Sequence, residues 1–347
     1  MDPQGLAGSP RDVVAAVRRW LEDPARGAAV PPVVVETSGS TGAPKRVVLR
    51  REAVLASVTA SAARVGASGR WLLALPPTFV AGLQVVCRSL AAGHEPVVLD
   101  DHGTFAAAAA ALGDGPRFVS VVPTQLHRLL ETDAATLATF HTVLLGGGPI
   151  DPALRARAAD AGVRVVATYG SAETAGGCVY DGLPLDGVAV AIGDAGRVRI
   201  AGPTLFDGYA GEPARTAEVL VDGWFLTSDA GRLDEDGRLQ VLGRLDDVVV
   251  SGGVNVPGPA VAARLRQHPG VDAAEVLGVP DEEWGNRVVA FVVPARPGAG
   301  APDLGELRDW VAEAHPRSWA PRQVVVLDDV PLLGNGKPDR LALRELA

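Results

Sequence analysis

The feature that most constrains this chain is a repeated alternation between Trp71 and Thr168. Short apolar runs at 71–75, 96–99, 117–122, 142–145 and 163–168 are separated by segments with helical spacing at 81–91, 105–112, 124–131 and 152–161. Runs this short and this continuously apolar suit strands buried on both faces, and the intervening helices supply the crossovers that parallel pairing requires. The expectation is an α/β fold with a largely parallel sheet. Upstream, Val13, Val14, Val17 and Leu21 mark a helix over 12–21, a Pro-rich break follows, and strands at 33–35 and 47–49 precede an alanine-rich helix at 51–65. An alanine run at 106–111 suits a helix.

Past Tyr169 the texture changes. Short glycine-punctuated strands at 188–192, 197–200 and 238–242 read as a small antiparallel or barrel-like part. From about Asp246 it changes again, with helices at 259–267 and 304–314, strands at 274–279, 287–293 and 323–327, and a final helix. That stretch, of about a hundred residues, has the size of a compact α+β domain. A chain of 347 residues is itself long enough for about two domains.

A net charge of −9 argues against a general nucleic-acid or membrane-surface role, so an anionic ligand needs local positive groups. Cys87 and Cys178 are the only cysteines and sit in no ligand-spaced cluster, which argues against a disulfide framework or a zinc site and fits a reducing cytoplasm. Residues 1–10 lack the basic start and apolar core of a leader, and no apolar run approaches the ~20 residues of a membrane span. Oligomeric state is not legible.

Chemistry concentrates in a few short stretches. Thr37-Ser38-Gly39-Ser40-Thr41-Gly42-Ala43-Pro44-Lys45 follows the apolar run Val33-Val34-Val35. Its glycines let the backbone approach a ligand, its hydroxyls and amides can donate to phosphate oxygens, and Lys45 adds charge. It is not a Walker loop, because Pro44 precedes the lysine and Arg46 follows it. Tyr169-Gly170-Ser171-Ala172-Glu173-Thr174 follows a strand and offers an aromatic for stacking and a carboxylate for a metal. Gly146-Gly147-Gly148-Pro149 is a second close-approach loop. Thr227-Ser228-Asp229, Gly243-Arg244-Leu245-Asp246-Asp247, Ser251-Gly252-Gly253 and Gly334-Asn335-Gly336-Lys337-Pro338 come later. Taken singly, each also suits an ordinary turn or a solvated charge.

Together, in this order, these stretches resemble the adenylate-forming superfamily of acyl-CoA synthetases and peptide-synthetase adenylation domains, over nearly the whole chain from Pro32. The resemblance implies a large N-terminal domain of packed α/β sheets at 1–245, with a small distorted β-barrel at about 178–245, and a small mobile α+β lid at 246–347. It implies ATP, Mg²⁺ and coenzyme A as co-substrates and cofactor, and a small-molecule carboxylic acid as partner. Thr37, Ser38, Gly39, Ser40, Thr41, Gly42 and Lys45 then match the pyrophosphate loop, and Gly147, Gly148 and Tyr169, with Gly170 and Ser171, match the adenine-flanking nucleotide site. Asp229 and Arg244 match ribose and phosphate contacts, Glu173 the magnesium ligand, Asp246 the hinge, Gly252 and Gly253 the coenzyme A-side lid segment, and Lys337 the adenylation lysine.

Within the superfamily, the segment Leu75-Pro76-Pro77-Thr78-Phe79-Val80-Ala81-Gly82-Leu83-Gln84-Val85-Val86-Cys87-Arg88, the segment Val122-Pro123-Thr124-Gln125-Leu126, the Gly146-Gly147-Gly148-Pro149 loop and the short N-terminal part resemble the bacterial o-succinylbenzoate:CoA ligases of menaquinone biosynthesis. Such an acid has a second carboxylate, and Arg88 is the one cation on the 76–90 segment that forms part of the acyl site in the resemblance. Another aryl- or fatty-acid CoA or carrier-protein ligase, and a non-catalytic nucleotide-binding module, are the alternatives; a phosphotransferase lacks its Walker motif. The chain departs from the family pattern at Arg46, Ala172 and Ser228, where glycine, threonine and glycine are usual, and at Gly258–Ala262, usually richer in glutamate.

Overall fold

The computed structural model describes residues 4–23, 30–37, 44–245, 248–296, 301–333 and 338–347. By internal contacts they form two compact units, 1–191 with 199–227 and 234–239, and 192–198 with 228–233 and 240–347.

In the first unit a seven-stranded sheet runs in the order Leu183–Pro184, Gly176–Tyr180, Val165–Ser171, Thr142–Leu145, Arg117–Val121, Arg70–Leu73, Val97–Val98. The last five pair in parallel, as the alternating pattern requires. One face, carrying Leu72, Val119, Val121, Val143 and Leu145, packs with Phe105, Leu112, Leu126, Leu154 and Ala158 from the covering helices. On that sheet Trp71 and Phe118 stack at 4.9 Å between ring centroids, with helices Arg51–Val65 and Val80–Ala91 on that side. Burial on both faces is why these strands read as unbroken apolar runs.

Two details differ from the pattern. The strand expected at 96–99 is only Val97–Val98, because Leu99–Asp101 winds into a 3-10 turn. Gly176–Tyr180 and Leu183–Pro184, the first of which begins the expected barrel-like part, instead extend the large sheet antiparallel. The reversal follows from Ala175 at φ 50° and Gly176 at φ 98°, which turn the chain straight back along Val165–Ser171.

A second sheet orders Gln4–Gly5, Val33–Glu36, Arg46–Leu49 and Gly208–Tyr209. Its central hairpin pairs Val33 with Leu49 and Glu36 with Arg46. A further sheet, assembled from Ala189–Ile192, Arg197–Ala201, Trp224–Leu233, Leu220–Val221 and Leu239–Arg244, stands where short antiparallel strands were expected.

The second unit contains the hairpin Val248–Ser251/Val254–Pro257, which the sequence reading missed, and the sheet Val271–Asp281, Gly285–Pro294, Gln323–Val326. Val276, Val288, Ala290 and Val292 pack against Val261, Leu265, Leu307 and Val311 of helices Gly258–Leu265 and Leu304–Ala312. Each such fully buried valine or leucine side chain contributes about 1.5–3 kcal/mol of transfer free energy.

Candidate active site

Thr37 and Lys45 directly extend the Glu36–Arg46 end of the central hairpin and are tied to each other. The Thr37 amide donates to the Lys45 carbonyl at 2.9 Å, and the Lys45 amide donates to Thr37 Oγ1 at 3.1 Å. Between them, Ser38, Gly39, Ser40, Thr41 and Gly42 lie outside the described residues, as do Asp246 and Lys337.

Thr142–Leu145 and Val165–Ser171 are parallel neighbours, so the Gly146–Gly148 loop and the Glu173 turn leave adjacent strand ends, where open α/β sheets place ligands. Close packing requires the glycines here. A Cβ on Gly146 would lie 2.4 Å from Thr168 Oγ1, and one on Gly170 would lie 2.1 Å from the Gly176 carbonyl oxygen. Gly147 adopts φ 82°.

Glu173 occupies the 3-10 turn Ala172–Thr174. The turn is held from several sides. Its Thr174 hydroxyl accepts from the Ser171 amide at 2.9 Å and reaches the Gly176 carbonyl at 2.7 Å. Ala175, left-handed without being glycine, has its carbonyl fixed by Gln84 Nε2 at 2.6 Å. Such a conformation costs about 1–2 kcal/mol and persists because its surroundings hold it. Ser171 Oγ is buried and makes no hydrogen bond of ordinary geometry, so a free hydroxyl stands immediately before Ala172, where the family's threonine is absent.

The Glu173 side chain is only 6% exposed. Its Oε1 accepts the Tyr209 hydroxyl at 2.8 Å; among the described residues no lysine or arginine ion-pairs with it, and Oε2 has no hydrogen-bond partner. A buried carboxylate left in that state is costly unless a cation completes it. Magnesium fits, since it takes one or two protein carboxylates and fills its remaining positions with phosphate and water oxygens. Among the described residues there is no group of three or more His, Cys, Asp or Glu placed to hold a metal ion.

Tyr209 was missed by the sequence reading. It lies on the strand beside Arg46–Leu49, paired with Val47, and its ring centroid is 5.4 Å from Lys45 Nζ. The available signal was rarity. The chain has three tyrosines, Tyr169, Tyr180 and Tyr209; the first and last stand at or against the Glu173 turn, and the second ends the returning strand.

Arg88 is 7% exposed, so its guanidinium does not reach solvent at the helix edge. Its Nη2 donates to the Tyr180 hydroxyl at 3.1 Å, itself hydrogen-bonded to Ser61 Oγ at 2.8 Å, and its Cζ lies 5.2 Å from the Trp71 ring centroid. Nε has no partner, and no carboxylate lies within ion-pair distance among the described residues. Val80, Gln84 and Arg88 form one stripe along the helix, whose upper end touches Gly176 while its lower end reaches Tyr180. The stripe therefore spans the whole strand that leaves the Glu173 turn. Burial pushes the thiols of Cys87 and Cys178 up to about 12, which removes thiolate chemistry from the site at neutral pH.

The other expected residues belong to the second unit. Asp229 lies within Trp224–Leu233 and Arg244 ends Leu239–Arg244, both half-buried. Gly252 and Gly253 form the two-residue turn of the Val248–Ser251/Val254–Pro257 hairpin, at φ 56° and 77°. Positive φ at both central residues is what a type I′ turn demands. A Cβ on Gly252 would also meet Trp284 at 2.6 Å.

Residues 23–210 match the model of the AMP-binding enzyme family, and 260–337 match that of the AMP-binding enzyme C-terminal domain. A probable 2-succinylbenzoate–CoA ligase of Mycobacterium tuberculosis is 43% identical over 90% of this chain and 83% of that protein. A 2-succinylbenzoate–CoA ligase of Listeria monocytogenes is 32% identical over 98% of this chain and 74% of that protein. The o-succinylbenzoate CoA synthetase of Bacillus subtilis, solved with its acyl-adenylate intermediate, superposes with a TM-score of 0.77 at 28% identity, over 90% of this chain and 68% of that one.

Proposed function

The chain belongs to the AMP-binding enzyme family, and from that premise we propose that it is an ATP- and Mg²⁺-dependent o-succinylbenzoate:CoA ligase. A substrate carboxylate oxygen attacks the α-phosphorus of ATP and expels pyrophosphate, leaving an acyl adenylate. The coenzyme A thiol, losing its proton, then attacks the acyl carbon and expels AMP.

The observation that carries this reading is the buried, unpaired Glu173, held at one oxygen by Tyr209 whose ring also contacts Lys45. Attack of one anion on another is repulsive, so the residues must supply compensating positive charge. Glu173 holds magnesium, which neutralises phosphate charge when bound. Lys45 and the loop from Thr37 hold the pyrophosphate, the free Ser171 hydroxyl donates toward a phosphate oxygen, and Lys337 brings a further cation for adenylation. Asp229 and Arg244 hold the ribose and phosphate, and Gly147, Gly148, Tyr169 and Gly170 flank the adenine. Asp246 is the hinge about which the lid turns, and Gly252 and Gly253 belong to the face that serves coenzyme A. No protein nucleophile is needed, in keeping with the inert thiols. A cytoplasmic location belongs to the same proposal; among the described residues no helix is long and apolar enough to cross a membrane.

Arg88 supplies the selectivity for a dicarboxylic acid, through its buried cation and unpartnered Nε. Arg88→Leu is expected to raise KM for o-succinylbenzoate roughly tenfold or more, a loss of ~1.4 kcal/mol or more, with little change in KM for ATP. A benzoyl analogue without the ring carboxylate is used poorly by the wild type and no worse by the variant. Equal impairment with both acids assigns Arg88 a packing role.

A further inference from the structure

We propose that Tyr209 is a positioning residue that keeps Glu173 and Lys45 separately available to metal and phosphate: its hydroxyl occupies one carboxylate oxygen while its ring holds the ammonium off the carboxylate. The inference rests on the ligase reading above and deepens it by assigning Tyr209 a role in that site.

The geometry is specific. Tyr209 is 5% exposed and cannot swing away, because its amide donates to Thr216 Oγ1 at 2.9 Å and its neighbours Asp207 and Ala210 donate backbone hydrogen bonds to Val48 and Arg46. Gly208, at φ 145°, leaves no room for a side chain, since a Cβ would lie 2.7 Å from Thr216 Cγ2. The same segment grips the Glu173 backbone: the Phe206 amide donates to the Glu173 carbonyl at 2.9 Å. Main chain and side chain of the glutamate are thus fixed by one stretch, 206–209.

Two consequences follow. With one lone pair of Oε1 taken by the Tyr209 hydroxyl, Oε2 is the unencumbered oxygen, which favours a cation held through one oxygen over a bidentate pair. And Lys45, though it shares Tyr209 with Glu173, forms no ion pair with it. A Lys–Glu pair closed in the substrate-free enzyme would have to be broken before either partner could bind ATP or metal. The Tyr209 ring, with Lys45 Nζ at 5.4 Å and Arg215 Cζ at 5.3 Å, offers the ammonium a cation–π contact instead. Lysine at this place is not incidental, since Lys45 and Lys337 are the only lysines among 32 Lys and Arg residues. A compact ammonium fits over a ring beside a phosphate loop where a planar guanidinium would make a forked pair with the carboxylate.

The test compares Tyr209→Phe, Glu173→Gln and the double variant, using Mn²⁺ as a paramagnetic probe titrated into enzyme with a non-cleavable ATP analogue, alongside the Mg²⁺ dependence of pyrophosphate exchange. Tyr209→Phe is expected to weaken Mn²⁺ binding roughly tenfold and to raise the half-saturating Mg²⁺ concentration in parallel, leaving thioester formation from supplied acyl adenylate unchanged. In the Glu173→Gln background Tyr209→Phe has no further effect on Mn²⁺, because the hydroxyl acts through the carboxylate. Should Tyr209→Phe melt well below the wild type, Tyr209→Met, which likewise lacks a donor, takes its place in the same cycle. An unchanged Mn²⁺ titration in Tyr209→Phe, with Glu173→Gln strongly weakened, overturns the role of Tyr209 and leaves the ligase reading standing. Unchanged titrations in both single variants overturn the metal role of Glu173 as well. Additive losses in the double variant also overturn the proposal.

Discussion

Lys337→Ala is expected to slow acid-dependent ATP–pyrophosphate exchange by roughly 10²-fold or more while thioester formation from supplied acyl adenylate stays near wild type. The asymmetry is the informative part. In the first half-reaction charge accumulates on phosphate oxygens as pyrophosphate departs, and a cation aimed at that charge is worth most in the transition state. In the second, the leaving group is AMP and the requirement is a positioned thiol with water excluded. In the proposed mechanism the lid that carries Lys337 leaves before the thiol approaches, so the lysine serves the first step only. Parallel pre-steady-state measurements of the two half-reactions check this, and equal losses in both contradict the assignment.

Gly170→Ala is expected to be the most damaging single methyl in the first unit. The added Cβ would meet the Gly176 carbonyl oxygen at 2.1 Å and Gly177 Cα at 2.8 Å, both backbone atoms of the paired strand that cannot rotate aside. Overpacking of this kind costs about 1–3 kcal/mol or more. Relief requires the Val165–Ser171 and Gly176–Tyr180 strands to part, which moves the Glu173 turn between them. A displacement of about 1 Å at a reacting centre can cost 10²-fold in rate. The expected result is a lower melting temperature together with exchange activity at roughly 1% of wild type. Gly148→Ala is the control for stability, since a Cβ there finds its nearest neighbour, Pro123 Cδ, at 4.0 Å. Similar melting temperatures for the two variants would remove the packing argument.

The parallel layer could be read because burial on both faces writes itself into consecutive residues, as in Thr142–Leu145, buried throughout. The stretches at 37–45, 146–148 and 169–174 stood out because glycine and hydroxyl clusters at strand ends favour turns and close approach, and only their order along the chain set them apart from ordinary turns. What could not be read depends on contacts between distant residues. Tyr209 stands 36 positions from the carboxylate it binds, in a segment whose local pattern predicts no role. The return of the chain after Glu173 hangs on Ala175 adopting a left-handed conformation that alanine does not announce. The hairpin around Gly252-Gly253 was not legible because adjacent glycines mark a turn or a loop alike without fixing the short strands beside them; their positive φ angles close a turn. Arg88 was identifiable as the lone cation of an apolar helix, yet only the structure shows it buried against Tyr180 and Trp71.

The reading of the chain as an o-succinylbenzoate:CoA ligase is tested most directly by ATP–[³²P]pyrophosphate exchange measured with o-succinylbenzoate, benzoate and medium-chain fatty acids in turn, followed by addition of coenzyme A. Exchange that depends on o-succinylbenzoate and exceeds that with every monocarboxylate, and that gives way on adding coenzyme A to thioester and AMP, is the expected result. Exchange driven best by a monocarboxylic acid, or release of ADP in place of pyrophosphate, contradicts it.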